Sequence, residues 1–390
     1  MRDWVAESKI SGRRFRRASC IVLLAVVLGL LVSFWSWVDA QARAVVVISS
    51  VLDAPVLSPA VRATSGEPRL SDARVAGYPS LVAMPAGEGP WPTIFVVNGT
   101  VPEGRELPAV RHLAEGFARS GYLVVVPDLP GLTEDRITPR TVDAATRAAR
   151  KISARPDAEG GEVALVGVST GATLSLLAAE DPSLDGKVSL VAGVAPFSDI
   201  RTVLNVATTG HYRRPDGKLV RYEATPFLSY VVARSLVAAL PPGEDRETLS
   251  AEISSVGREN PDPLHDVRQR HTDDLGPGAK SVVRLLANRD PGRFDDLYAD
   301  LSVGVRQDLE ELSPLASEGR ISAPVEIATG PHDEYFPPSE SYALKRVAPQ
   351  RTVTVTGALD HTRLNVSLED VPAFVAFDGF VVRSLRTSRD

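Results

Sequence analysis

Gly167-Val168-Ser169-Thr170-Gly171 follows the apolar run Val163-Ala164-Leu165-Val166 and precedes Ala172 to Ala179, where Leu174, Leu177 and Ala178 recur at helical spacing. The first run reads as a buried strand and the second as a helix. A Gly-x-Ser-x-Gly pentapeptide between a strand and a helix makes a sharp, strained turn that exposes the serine hydroxyl. The backbones there pass so closely that only small residues fit beside it. Ser169 is therefore the candidate nucleophile, and the surrounding chain has to supply what a nucleophile needs.

The chain has 390 residues, 44% hydrophobic and 24% charged, which suits one large globular domain with an insertion, or two domains. A formal net charge of -6 argues against a nucleic-acid partner, since a phosphate-binding face normally shows as a basic excess. The single cysteine, Cys20, excludes an intramolecular disulfide and a thiolate metal cluster. There is no His-Glu-x-x-His and no close group of histidines, so neither a metal nor an organic cofactor is expected.

The N-terminus departs from this ordinary composition. Arg13, Arg14, Arg16 and Arg17 precede the uncharged segment Ala18 to Val38, about 21 residues and long enough to cross about 30 Å of hydrocarbon. The positive-inside rule keeps the arginines cytoplasmic and exports everything after Asp39, with Trp35 and Trp37 at the interface. A signal peptide cleaved at Val38-Asp39-Ala40 would leave the chain secreted. The length of the apolar run favours a retained signal anchor. Residues 43–78 then read as a stalk.

Beyond it, strands and helices alternate. Strands are expected at Ser80 to Met84, Thr93 to Val97, Tyr122 to Val126, Glu162 to Val166 and Val188 to Val194, with helices at Leu107 to Ser120, Thr141 to Ile152 and Ala172 to Ala179. Near-continuous apolar strands joined by helices imply βαβ units and a mainly parallel, buried sheet. From 200 to 321 the rhythm becomes helical, with candidates starting at Pro226, Glu247, Lys280, Phe294 and Val305 and no convincing strand. Thr225 is placed to cap the first of these, with Pro226 at its first position. The α/β rhythm returns at strand Pro324 to Ala328, helix Ser339 to Val347, strand Thr352 to Thr356 and a final helix from Pro372 to Leu385.

A serine hydroxyl needs a general base in hydrogen-bond reach and a carboxylate to hold that base in the right tautomer. Of the six histidines, His361 lies in the loop leaving the carboxyl end of a strand, the edge where groups gather in open parallel sheets. Asp333, in Gly330-Pro331-His332-Asp333-Glu334, sits at the same edge. Glu334 and Asp199 are alternatives for the carboxylate.

The order Ser169, Asp333, His361, together with Asp128-Leu129-Pro130-Gly131 after a strand and the approach Ile321-Ser322-Ala323-Pro324-Val325 to Gly330-x-x-Asp333, resembles the α/β-hydrolase superfamily over residues 79 to 386. The resemblance implies an α/β-hydrolase core at 79–199 and 322–390, a helical cap or lid at 200–321, and an N-terminal tail and membrane segment at 1–42. It also implies hydrolysis of a carboxylic ester through an acyl-enzyme, with Ser169 as nucleophile, His361 as base and Asp333 as its orienting acid. The oxyanion hole would be the backbone N–H of Thr170 and that of Thr100, from Asn98-Gly99-Thr100-Val101. Many members carry His-Gly where this chain has Asn98-Gly99.

A peptidase or amidase of the same superfamily, or an inactive membrane-tethered binding protein, would use the same fold. The expected partners are a small-molecule or lipid ester and, through residues 18–38, a membrane. Asn98-Gly99-Thr100 and Asn365-Val366-Ser367 also match glycan acceptor patterns.

Overall fold

The apolar runs become the strands of one eight-stranded sheet in a computed structural model that describes residues 34–52, 65–317, 320–348, 350–361, 363–364 and 370–389. The strands are β1 (Arg69–Val75), β2 (Tyr78–Met84), β3 (Thr93–Val97), β4 (Leu123–Pro127), β5 (Val163–Val168), β6 (Val188–Val194), β9 (Val325–Thr329) and β10 (Arg351–Val355), in the order β1-β2-β4-β3-β5-β6-β9-β10. β2 runs antiparallel to β1 and β4, and all other neighbours are parallel. β3 and β4 are buried at every position, as near-continuous apolar sequence requires when both faces are covered, and β9 is buried throughout although it carries Glu326, which accepts from Arg383 Nε at 3.0 Å.

Helices cover both faces: α1 (residues 34–52), α2 (Pro108–Arg119), α3 (Pro139–Ser153) and α4 (Thr170–Ala179) before the insertion, and the C-terminal helix Val371–Thr387 after it. Every residue of α4 is buried, so it runs through the interior directly behind the elbow.

The stretch read as a stalk is part of the fold wherever it is described. In α1, Ala40, Ala44, Val47 and Ile48 are buried. α1 crosses α2 so closely that a Cβ on Gly116 would lie 2.8 Å from that of Ser50, and Gln41 donates to Asp378 of the C-terminal helix at 2.9 Å. β1 is an edge strand exposed at all positions but Val75. Its charged sequence carries no apolar signal because it has no second neighbour to pack against. Ala76 and Gly77, both at positive φ, close the β1–β2 hairpin.

The expected membrane segment lies, up to residue 33, outside the described residues. Among the described residues no helix is long and apolar enough to cross a membrane.

The insertion between β6 and β9 carries α5 (Ile200–Thr209), α6 (Pro226–Ala238), α7 (Glu244–Val256), α8 (His265–Gln269), α9 (Pro277–Ala287), α10 (Phe294–Ala299) and α11 (Val303–Glu310). It is not strand-free: β7 (His211–Arg213) and β8 (Leu219–Arg221) form a short hairpin, too short to give a pattern of period two. Thr225 precedes α6 without a side-chain cap. Its N–H instead donates to Glu334 O at 2.8 Å, tying the cap to the loop after β9. Beyond β9 come α12 (Pro338–Ala343), β10, the two-residue strands β11 (Leu359–Asp360) and β12 (Arg363–Leu364), and α13 (Val371–Thr387).

Candidate active site

The turn from β5 into α4 holds Ser169 at φ 56° and ψ -128°, left-handed backbone that a non-glycine residue adopts only where its surroundings force it. The forcing is visible at the two glycines. A Cβ on Gly167 would lie 2.4 Å from Gly171 O, and one on Gly171 would lie 2.1 Å from Val97 O and 2.3 Å from Asn98 O. The elbow is thus wedged between its own helix and the end of β3.

His361 and Asp333 arrive at this edge from loops after β10 and β9. His361 Nε2 lies 2.9 Å from Ser169 Oγ, and its Nδ1 lies 2.7 Å from Asp333 Oδ2. The Asp333 side chain is wholly buried, and its other oxygen accepts the N–H groups of Tyr335 at 2.7 Å and Phe336 at 2.9 Å. An ionised carboxylate is an acceptor only, so Nδ1 carries the ring proton and Nε2 is left to accept from the serine. Tyr335 stacks on the imidazole at 4.0 Å and 26°, and Phe336 meets it edge-on at 5.8 Å, fixing the ring plane.

The alternative carboxylates do not reach the histidine. Glu334 is exposed. Asp199 caps α5 by accepting from Arg201 N at 2.9 Å, and burial raises its carboxyl above the usual range.

Thr100 and Thr170 are both buried beside Ser169. Thr170 is the first residue of α4, where a backbone N–H has no partner within the helix. The Thr100 N–H donates to the Thr170 hydroxyl at 3.2 Å, so one of the two expected oxyanion donors is engaged by a side chain. Asn98 braces this loop through its side chain: its Oδ1 accepts from Gly99 N at 2.9 Å and its Nδ2 donates to Gly104 O at 3.1 Å. That amide nitrogen is occupied inside a half-buried loop, which makes Asn98 a poor glycan acceptor. Asn365 lies outside the described residues.

Two contacts escaped the sequence reading. Asp128, noted only as part of a turn, accepts from Arg105 N at 2.8 Å and pairs with the Arg105 guanidinium, clamping the far end of the Asn98 loop. The Tyr222 hydroxyl, at the end of the cap hairpin, donates to the backbone carbonyl of Asp333. Neither has a sequence signal, because each joins residues far apart in the chain. Among the described residues no group of His, Cys, Asp or Glu side chains could hold a metal ion.

A cavity of about 570 Å³ opens beside Ser169, Thr100, Thr170 and His361, within the size range of small-molecule sites. The cap closes its upper side through Phe227, Leu228 and Val231 of α6. Arg258, from the loop after α7, lies over the Phe227 ring at 4.7 Å.

No family model matches this sequence, and no curated protein matches it. Solved structures similar in fold include a hyperthermophilic esterase from the archaeon Pyrobaculum calidifontis, 15% identical over 88% of this chain and 91% of that one, with a TM-score of 0.46. A proline iminopeptidase from Mycobacterium smegmatis is 17% identical over 83% of this chain and 100% of that one, at 0.44. A membrane phospholipase A described as a bacterial virulence factor is 14% identical over 93% of this chain and 98% of that one, at 0.42. The architecture, a mainly parallel eight-stranded sheet flanked by helices with its serine elbow after β5, is α/β-hydrolase-like.

Proposed function

We propose that this protein is a serine hydrolase that cleaves a carboxylic ester, with Ser169 as nucleophile, His361 as general base and Asp333 as the carboxylate that orients the imidazole. The observation that carries the reading is the continuous relay of 2.9 Å and 2.7 Å from Ser169 through His361 to a buried, doubly braced Asp333, set on a strained elbow. Ser169 Oγ attacks the ester carbonyl while its proton passes to His361 Nε2. The proton then goes to the departing alkoxide as the carbon–oxygen bond breaks, leaving an acyl-serine. Water activated by the same imidazole releases the acid and restores the serine. Thr100 and Thr170 offer backbone N–H groups to the oxyanion, the first once the Thr170 hydroxyl gives way to it. The relay needs no metal or organic cofactor.

An ester is favoured over an amide by the surroundings. Among the described residues the cavity beside the serine is lined mainly by apolar side chains, with Arg258 and Glu259 as the charged residues. Among these, Glu259 is the group suited to a peptide's ammonium.

We further propose that residues 18–38 hold the protein at a membrane with the hydrolase domain outside the cytoplasm. The described beginning of α1 supports this: Phe34, Trp35 and Trp37 are exposed at 60%, 69% and 49%, while the later turns of the same helix are packed.

The test is labelling of the full chain in detergent with a fluorophosphonate, beside turnover of p-nitrophenyl esters and aminoacyl anilides. Serine-hydrolase chemistry predicts labelling that Ser169→Ala abolishes. Anilide turnover exceeding ester turnover would move the assignment to an amidase.

A further inference from the structure

The cavity beside Ser169 does not stop under the cap. It continues down one face of the sheet, and its floor follows the strand register. Val168, Val166 and Ala164 are alternate residues of β5, opposite Val194, Ala192 and Leu190 of β6, and all six line it. Alternate residues share a face, so the floor runs from the nucleophile back toward the beginnings of the strands. The five steps of extended chain from Ala164 to Ser169 cover about 16 Å, the reach of roughly a dozen methylenes in an extended chain.

The roof is helical and apolar. α1 contributes Val47 and Ile48, α2 contributes Phe117, and α13 contributes Phe380, Val381 and Leu385. At the far end stand Ser384 and Ser388, whose hydroxyls turn back onto their own helix, at 2.9 Å to Phe380 O and 3.1 Å to Leu385 O. Below the triad the described residues of the channel therefore present almost no polar group seeking a partner. A peptide or sugar in it would lose hydrogen bonds to water without replacement, whereas an alkyl chain loses none. Ala164 and Ala192, where a sheet face would ordinarily carry larger side chains, supply the width.

We propose that this channel receives the acyl chain of a long-chain carboxylic ester, with the carbonyl at Ser169 and the methyl end between α2 and α13. The inference rests on the serine-hydrolase reading and names the substrate class that reading leaves open. The alcohol portion then faces the cap, where Arg258 and Glu259 lie.

The test is kcat/KM of the full chain in detergent for p-nitrophenyl esters from C2 to C16, with labelling rates for ethyl and dodecyl fluorophosphonates as a second measure. Burial of successive methylenes predicts kcat/KM at least tenfold higher for C12 than for C4. Ala192→Phe, which obstructs the channel midway, should lower the C12-to-C4 ratio at least tenfold, with folding checked by thermal melting. Ser384→Phe obstructs it from the roof and serves if the first variant does not fold. A wild-type optimum at C2 to C4 that declines beyond C6, or an unchanged ratio in a folded Ala192→Phe, overturns the channel while leaving the hydrolase reading standing. Neither turnover nor labelling at any chain length overturns both.

Discussion

Tyr222, which ends the hairpin of the cap, donates its hydroxyl proton to the backbone carbonyl of Asp333, so the cap is fastened to the carboxylate that holds the imidazole. Burial, with the nearby Asp333 charge, pushes the Tyr222 hydroxyl far above the ordinary tyrosine range, and it remains a donor at any working pH. Tyr222→Phe leaves the aromatic packing against Tyr212 in place but strands that carbonyl. The expected result is a fall in kcat of about tenfold with a smaller change in KM, measured on the best p-nitrophenyl ester.

The two aspartates near the sheet edge separate by role. Asp333→Asn takes away the acceptor that keeps the ring proton on Nδ1, and kcat should fall by about 10³ to 10⁴. Asp199→Asn alters the cap of α5 and removes a charge near Glu340, neither of which touches His361, and its rate should stay within a few-fold of wild type, because an asparagine caps about as well. Steady-state kinetics of both variants decides the assignment; an inactive Asp199→Asn would reverse it.

The oxyanion loop gives a third contrast. Thr100→Pro removes the backbone N–H and should cost about 10² to 10³ in kcat. Thr170→Val removes only the hydroxyl that occupies this N–H at rest and should change kcat by less than tenfold. Circular dichroism of Thr100→Pro must first match the wild type for the rate to be read.

Stability at the elbow is governed by space. Gly171→Ala would place a carbon 2.1 Å from Val97 O, a backbone atom in the middle of the sheet edge that cannot step aside. Unfolding in urea should show a loss of about 3 kcal/mol or no folded protein at all.

Glu340 supplies a pH dependence. It is buried behind the loop after β6, where its Oε2 accepts from Ser198 N, Ser198 Oγ and Asp199 N, each at 2.9 Å. Burial outweighs these bonds, and the nearby Asp199 charge acts with it, so the carboxyl is raised from 4.5 to about 7. The folded protein keeps this proton up to about pH 7, whereas the unfolded chain releases it near 4.5. Stability therefore falls as pH rises through that interval, by about 3 kcal/mol, and is flat above it. Glu340→Gln, which retains an acceptor oxygen, should remove this slope in melting temperature between pH 5 and 7.5.

The parts of the fold legible in the sequence are those with a local physical cause. β3 and β6 occur at the limits their apolar runs set, because a strand covered on both faces must be apolar throughout. The elbow was legible because Gly167 answers a steric demand from Gly171 and Ala172, within five residues of it, although the demand on Gly171 comes from Val97 and Asn98 at the end of β3. β1 was not, since an edge strand lined with charge resembles a loop, and the hairpin Tyr212 belongs to is too short to show a period. Residues 43–52, expected at the start of a stalk, are helical here, and their packing was not legible because it depends on α2, a partner more than fifty residues away.

By itself the sequence determined the strand, the glycine-flanked turn that presents Ser169 and the sheet that carries them, because strand, turn and helix propensities act over a few residues. Only the tertiary structure decided that Asp333 rather than Asp199 or Glu334 faces His361. It also decided that the Thr170 hydroxyl engages the Thr100 N–H, and that the faces of α1, α2 and α13 leave an apolar channel against the sheet. Those outcomes depend on distances between residues tens to hundreds of positions apart, set by how helices settle on a sheet, and no local preference encodes them.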